Sequence, residues 1–139
     1  MTTPMNEEQM QAWVRKQYQT ANGYLAERGL VTDRVLTKES RMLVPHVTVW
    51  KFTLQRLTEK VWVIAGADLP TDHIDASLAP TAQDALRYFS YMWQMKADKL
   101  LSDESGVSEE QQSIANVLIK SAERIFQLSE EKQLWEEEA

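Results

Sequence analysis

Cysteine is missing altogether from these 139 residues. That excludes disulfides, a thiolate nucleophile and any Cys-ligated zinc or iron–sulfur centre. Glycine and proline are sparse, at four each, and no Gly-rich phosphate loop can be found among them. There is no Gly-x-Ser-x-Gly elbow, so Ser–His–Asp catalysis lacks its usual frame. No apolar run approaches the ~20 residues needed to span a bilayer. The opening MTTPMNEEQ has neither the basic region nor the apolar core of a secretory signal. These features set the expectation of a cytoplasmic protein with no membrane partner.

Positive charge is also short. Fifteen Lys and Arg face 21 Asp and Glu, for a net charge of −6. The balance is uneven: residues 1–70 hold nine basic and seven acidic side chains, residues 71–139 six and fourteen. Phosphate neutralisation supplies most nucleic-acid affinity. An acidic chain with no basic stripe therefore excludes nucleic acid as the expected partner.

What the chain has in quantity is apolar and aromatic surface. Hydrophobic residues make up 43% of it, five of them Trp. The length suits one domain, residues 1–139. Val47–Gln55 and Val61–Ala65 are rich in β-branched and aromatic residues and contain no Pro or Gly. They read as a strand–loop–strand unit. Alternation puts Trp50, Phe52 and Leu54 on one side of the first strand, and Trp62 and Ile64 on one side of the second. Pairing Gln55 with Val61 would join all of these into one aromatic patch and leave Arg56–Lys60 as the loop. The opposite face, with Val47, Val49, Lys51, Thr53, Val61, Val63 and Ala65, is not polar either. Either helices cover both sides or the second face meets a partner.

Around this hairpin the helices announce themselves. Asn6 and Gln9 form a capping box ahead of Met10, Trp13, Val14, Ala21, Tyr24 and Leu25 at helical spacing. Gly29 is the natural stop. Thr81 caps a second helix, with Asp84 in the capping-box position, carrying Ala82, Ala85, Leu86, Phe89, Met92, Trp93, Ala97 and Leu100 and ending near Leu101. Ser108 and Gln111 form another box ahead of Ile114, Val117, Leu118, Ser121, Ile125 and Leu128. Val31–Asp33 reads as a turn and Val35–Leu43 as a candidate third, edge strand. Gly66–Thr81 reads as a sixteen-residue loop. Residues 1–5 read as a disordered tail and the acidic 129–139 as a frayed helix end. The expected fold is α+β: a small antiparallel sheet of two to three strands with three main helices, in the order helix, strands, helix, helix.

Chemistry has one candidate stretch. Asp68, Asp72, His73 and Asp75 place three carboxylates and an imidazole within eight residues. Oxygen-rich clusters of this kind can hold a divalent metal. The spacing matches neither an EF-hand loop nor a helix-borne zinc motif. Turn capping by the Asp side chains is the competing explanation. His46 would join a metal site only if the strands bring it to His73. Leu134 and Trp135, set among Glu residues, could form a docking peptide or pack as a helix extension.

The KESRML, VPHVTVWKF, VWVIAGADLPTDHI and ALRYFSYMWQMKA segments resemble a family of small gammaproteobacterial proteins known only as a domain of unknown function. The resemblance runs from about Trp13 to Phe126, and its most distinctive piece is Asp68–Ile74. It implies a bacterial, cytoplasmic, single-domain protein and carries over no activity, cofactor or site residue. The residues themselves favour a non-enzymatic interaction or regulatory module, with no catalytic residue and no cofactor. Its partner would be another protein, or a second copy in a homodimer through the second sheet face or the aromatic-rich helix. Trp50, Trp62, Trp93 and Trp135 are the candidate contact residues, since Trp is enriched at interaction hot spots. The alternative is a metal-binding protein or metal-dependent enzyme built on Asp68, Asp72, His73 and Asp75.

Overall fold

A computed structural model describes residues 4–136. They fall into two compact units, Met1–Ala82 and Gln83–Ala139. The first unit opens with α1 (Glu7–Glu27), held at its start by the reciprocal Asn6–Gln9 capping box. Gly23 lies inside the helix without breaking it. Arg28 caps its end, and Gly29 follows at φ +75°, a conformation open to a residue without a Cβ.

The sheet is antiparallel and larger than the sequence pattern indicates. Five strands are present among the described residues: β1 (Thr32–Val35), β2 (Arg41–Leu43), β3 (Val47–Leu54), β4 (Lys60–Gly66) and β5 (Asp72–Asp75). The order is β1-β3-β4-β5, with β2 also on β3. The stretch that reads as a turn and then one edge strand is two short strands laid end to end along β3. The chain turns at Leu36–Ser40 between them, so Lys38 and Glu39 sit in the turn. Ser40 mends the gap. Its Oγ accepts the Lys51 N–H at 2.8 Å and donates to the Leu36 carbonyl at 2.8 Å. The sixteen-residue loop likewise contains β5 and a 3-10 turn at Ala76–Leu78. A four-residue strand carrying two Asp lacks the composition that marks strands.

The β3–β4 register also differs from the aromatic-patch pairing. Thr53 pairs with Lys60, Phe52 with Val61, Lys51 with Trp62 and Trp50 with Val63. This odd shift sends Trp62 and Ile64 to the face opposite Trp50, Phe52 and Leu54. Volume explains the choice. Each large ring now stands beside a smaller or slimmer neighbour across the ladder, so neither face is crowded. On the first face, α1 lays Ala21 and Leu25 over Trp50, Phe52, Leu54, Val61, Val63 and Ala65. Tyr18 meets Trp50 edge-on at 5.5 Å between centroids. Fully buried Thr48 accepts the Trp50 indole N–H at 2.7 Å and donates to the Ala65 carbonyl at 2.6 Å. On the second face Val47, Val49, Trp62 and Ile64 are also buried, so this face is not an open surface. Trp62 Nε1 donates to the Ala79 carbonyl at 2.9 Å. Lys51 lies 5.1 Å from the Trp62 ring and pairs with Glu39 at 2.8 Å.

The second unit is a helical hairpin of α2 (Ala82–Leu101) and α3 (Glu109–Glu130). The Ser108–Gln111 capping box starts α3. Ser90 Oγ donates across to the Ala122 carbonyl at 2.8 Å, and Gln83 Nε2 to the Ser129 carbonyl at 2.9 Å. Arg87 bridges Asp84 and Glu130. Beyond α3 the chain forms a 3-10 turn at Lys132–Leu134 instead of a helix extension. The remainder of the two tails, residues 1–3 and 137–139, lies outside the described residues.

Two glycines give opposite expectations. A Cβ on Gly66 would stand 2.6 Å from the His46 carbonyl and 3.0 Å from Val47 Cα. Gly66→Ala should cost about 2 kcal/mol, in the range of overpacked sites. A Cβ on Gly23 meets nothing within 4 Å. Gly23→Ala should therefore stabilise the chain by roughly 0.5–1 kcal/mol, as a helix-interior Gly does on replacement. Chemical denaturation of the two variants checks both signs.

Candidate functional site

The stretch from Asp68 to Asp75 does not converge on one point. Asp68 lies exposed in the turn after β4 at φ +57°. Asp75 ends β5, and its Oδ1 accepts the Ser77 N–H at 2.8 Å. Hydrogen bonding by Ser77, through its side chain first and its backbone N–H second, holds the Asp75 carboxyl below the usual carboxylate range. Asp72 and His73 stay together. Asp72 Oδ1 accepts the His73 backbone N–H at 2.8 Å. Among the described residues no three His, Asp or Glu side chains come together in a way that could hold a metal ion. His46 sits apart from His73. It precedes Val47, which pairs with Gly66, whereas His73 pairs with Val63 one strand further across. Strand spacings put the two backbones roughly 15 Å apart.

The partner that Asp72 and His73 share is Tyr24 of α1. Its hydroxyl lies 2.9 Å from His73 Nδ1 and donates to Asp72 Oδ1 at 3.3 Å. Both contacts are hydrogen bonds at once when His73 Nδ1 carries a proton and gives it to the phenol oxygen. The two rings meet edge-on at 5.4 Å. Arg28 covers the other side, its guanidinium 3.5 Å from the Tyr24 ring centroid and bonded to the Tyr24 carbonyl at 3.0 Å. The Tyr24 phenol is pushed up to about 12, first by burial and then by the Asp72 charge, with Arg28 opposing. What this geometry does is fasten the edge strand β5 to α1. Tyr24 was read in sequence only as an apolar-stripe residue. Nothing at its own position marks it as the partner of residues 48 and 49 places away.

The candidate contact tryptophans are placed differently from the expectation. Trp50, Trp62 and Trp93 are 3%, 0% and 1% exposed. They are core side chains, because the register and the helix stripe turn each of them inward. Trp135 is half-buried, and its Nε1 donates to the Leu128 carbonyl at 3.0 Å, tying the chain back onto the end of α3.

Exposed apolar surface lies elsewhere. Eleven large hydrophobic side chains are exposed among the described residues. Seven belong to the helical hairpin: Tyr91, Met95, Leu101, Val107, Ile114, Val117 and Phe126. Between α2 and α3 runs a groove of about 630 Å³, lined by Lys96, Lys99, Leu100, Ser102, Asp103, Gln111, Ile114 and Leu118. A second, of about 540 Å³, lies along α1 beside Met10, Val14, Tyr18 and Trp50. Ile114 and Val117 follow the helical period together with buried Ile125 and Leu128, and periodicity does not separate them, because an apolar stripe looks the same whether it is covered or bare.

The Tyr24 fastening can be titrated. Neutral phenol is the form favoured by the fold, so its stabilisation is complete below pH 10 and is lost as pH rises from 10 towards 12. Phenolate absorbance should show one of the four tyrosines ionising near pH 12, and Tyr24→Phe should remove that step. Asp72→Ala should lower stability by about 1 kcal/mol, the usual value of a hydrogen bond. Melting curves with Mg²⁺, Mn²⁺, Ca²⁺ or Zn²⁺ test the metal alternative, since an ion held by Asp72 would raise the midpoint and lose that effect in Asp72→Ala.

No helix among the described residues is long and apolar enough to cross a membrane. No curated protein and no solved structure matches the chain. A family model described as a domain of unknown function (DUF4826) matches residues 7–135. With nearly its whole length covered, this chain belongs to that family of unknown function.

Proposed function

We propose that the protein is a non-enzymatic interaction module and that its docking surface is the α2–α3 hairpin. The observation that carries this reading is the concentration of exposed apolar side chains there. Residues 83–139 hold seven of the eleven among the described residues. Where exposed apolar side chains adjoin one another, as Ile114 and Val117 do within one turn of α3, they are candidates for a binding surface. The groove between α2 and α3 adds concave relief that combines apolar Leu100, Ile114 and Leu118 with polar and charged side chains, the mixture found at protein-binding sites. Asp72 and His73 support the same reading from the other side. They are engaged in holding β5 to α1, which is a structural use of the most reactive-looking stretch in the sequence.

A photo-crosslinking residue at Val117, in cells expressing the full chain, tests the proposal. Val117 is 53% exposed on α3. A discrete adduct is expected from that position and not from exposed Gln19 on α1, and Ile114→Asp should abolish it. Equal labelling from both positions, or no adduct from Val117, would contradict the reading.

A further inference from the structure

The groove between α2 and α3 has a distinctive charge pattern. Leu100, Ile114 and Leu118 form its apolar part, and Lys96 and Lys99 flank it. The turn that closes the hairpin is acidic. Asp103, Glu104, Glu109 and Glu110 lie within eight residues, and no Lys or Arg occurs anywhere from Leu100 to Ile119. All four acids are exposed. Within one hairpin, then, a basic flank and an acidic tip stand next to an uncovered apolar strip. Such a surface is complementary to itself.

We propose that the occupant of this groove is a second copy of the chain, packed through antiparallel α3 helices about a two-fold axis near Ile114. The inference rests on the reading of the hairpin as the docking surface, and names its partner. A two-fold contact repeats the same patch on both sides, so each feature must meet its complement in the other copy. Helix geometry allows this. With two α3 helices antiparallel and centred on Ile114, Glu110 of one copy is level with Leu118 of the other, and Glu109 with Ile119. Leu118 lines the groove beside Lys96. The pairing therefore brings Glu110 to Lys96 twice, once on each side of the axis. It also sets Val117 level with Gln111, over the groove, and packs Ile114 against its own symmetry mate. Ile114 and Val117 are 45% and 53% exposed in the single chain, so both have area to bury. Two chains of net charge −6 repel at a distance. Local Lys–Glu pairing across the axis offsets that repulsion and fixes the register.

Sedimentation equilibrium of the purified full chain, over a concentration series in the micromolar range, tests the proposal. The expected mass at the upper end is twice the 16.1 kDa of the chain. Ile114→Asp should leave only the single-chain mass. Lys96 is exposed on α2, and Lys96→Glu, with helix content checked by circular dichroism, should weaken association by about tenfold, as loss of a close charge pair does. Combining it with Glu110→Lys, which restores the pair in reverse, should recover most of that loss. A single-chain mass at every concentration would overturn the proposal, as would a dimer indifferent to Lys96→Glu or a double variant without recovery. The two readings separate cleanly. A Val117 adduct to a different protein, with the chain itself sedimenting as a monomer, overturns self-association and leaves the docking surface standing. No adduct and no dimer would remove both.

Discussion

The β3–β4 register is the constraint on which the rest of the sheet-bearing unit depends. Side chains alternate across a strand, so one odd slip would exchange the two faces completely. The observed pairing sets Trp50 beside Val63, Phe52 beside Val61 and Trp62 beside Lys51. Large and smaller side chains alternate across the ladder, and each face stays level enough to pack. α1 can then settle on the first face with Ala21 and Leu25, whose modest size lets the helix come close. Thr48 completes the arrangement by taking the Trp50 indole proton inside the core, where an unpaired donor would be costly.

From that register the fate of the aromatic residues follows. The tryptophans that look in sequence like binding residues are the ones most deeply used in packing. The stretch that looks like a reactive centre is used to secure an edge. β5 is short and carries Asp at both ends, so it has little apolar surface of its own to hold it. Its attachment comes from ladder bonds to β4 and from Tyr24, whose hydroxyl reaches both Asp72 and His73. A short edge strand capped in this way also presents few free backbone groups to other chains. Most of the exposed apolar side chains among the described residues belong instead to the helical hairpin, whose two helices are joined by bonds such as Ser90 to Ala122.

Much of this was legible in the sequence, and the limits have physical causes. The two capping boxes and all three helices were plain, because Asn6–Gln9 and Ser108–Gln111 are local signals read within four residues. The two central strands were plain from composition. β5 was not, since Asp72–Asp75 is a strand by virtue of its pairing with Val61–Ile64, a non-local fact. The split between β1 and β2 depends on the Ser40 bridge to Lys51, which joins residues eleven apart. Hydrophobic pattern alone favours a register that gathers the rings, whereas the observed β3–β4 pairing separates them onto two faces. For the candidate site, the sequence groups Asp68, Asp72, His73 and Asp75 as neighbours in the chain, whereas the contact that joins Asp72 and His73 comes from Tyr24, on a helix nearly fifty residues earlier.

The account stands on one division: aromatic residues of the sheet and the inner helix stripe inside, apolar residues of the α2–α3 hairpin outside. Hydroxyl-radical footprinting read by mass spectrometry measures both halves of that division in one experiment. Rapid oxidation of Tyr91, Met95 and Phe126, with Phe52, Trp62, Phe89 and Trp93 protected, is the predicted result. Protection of the hairpin residues together with rapid oxidation of Trp62 would contradict it, since that pattern would require both a different β3–β4 register and a covered hairpin.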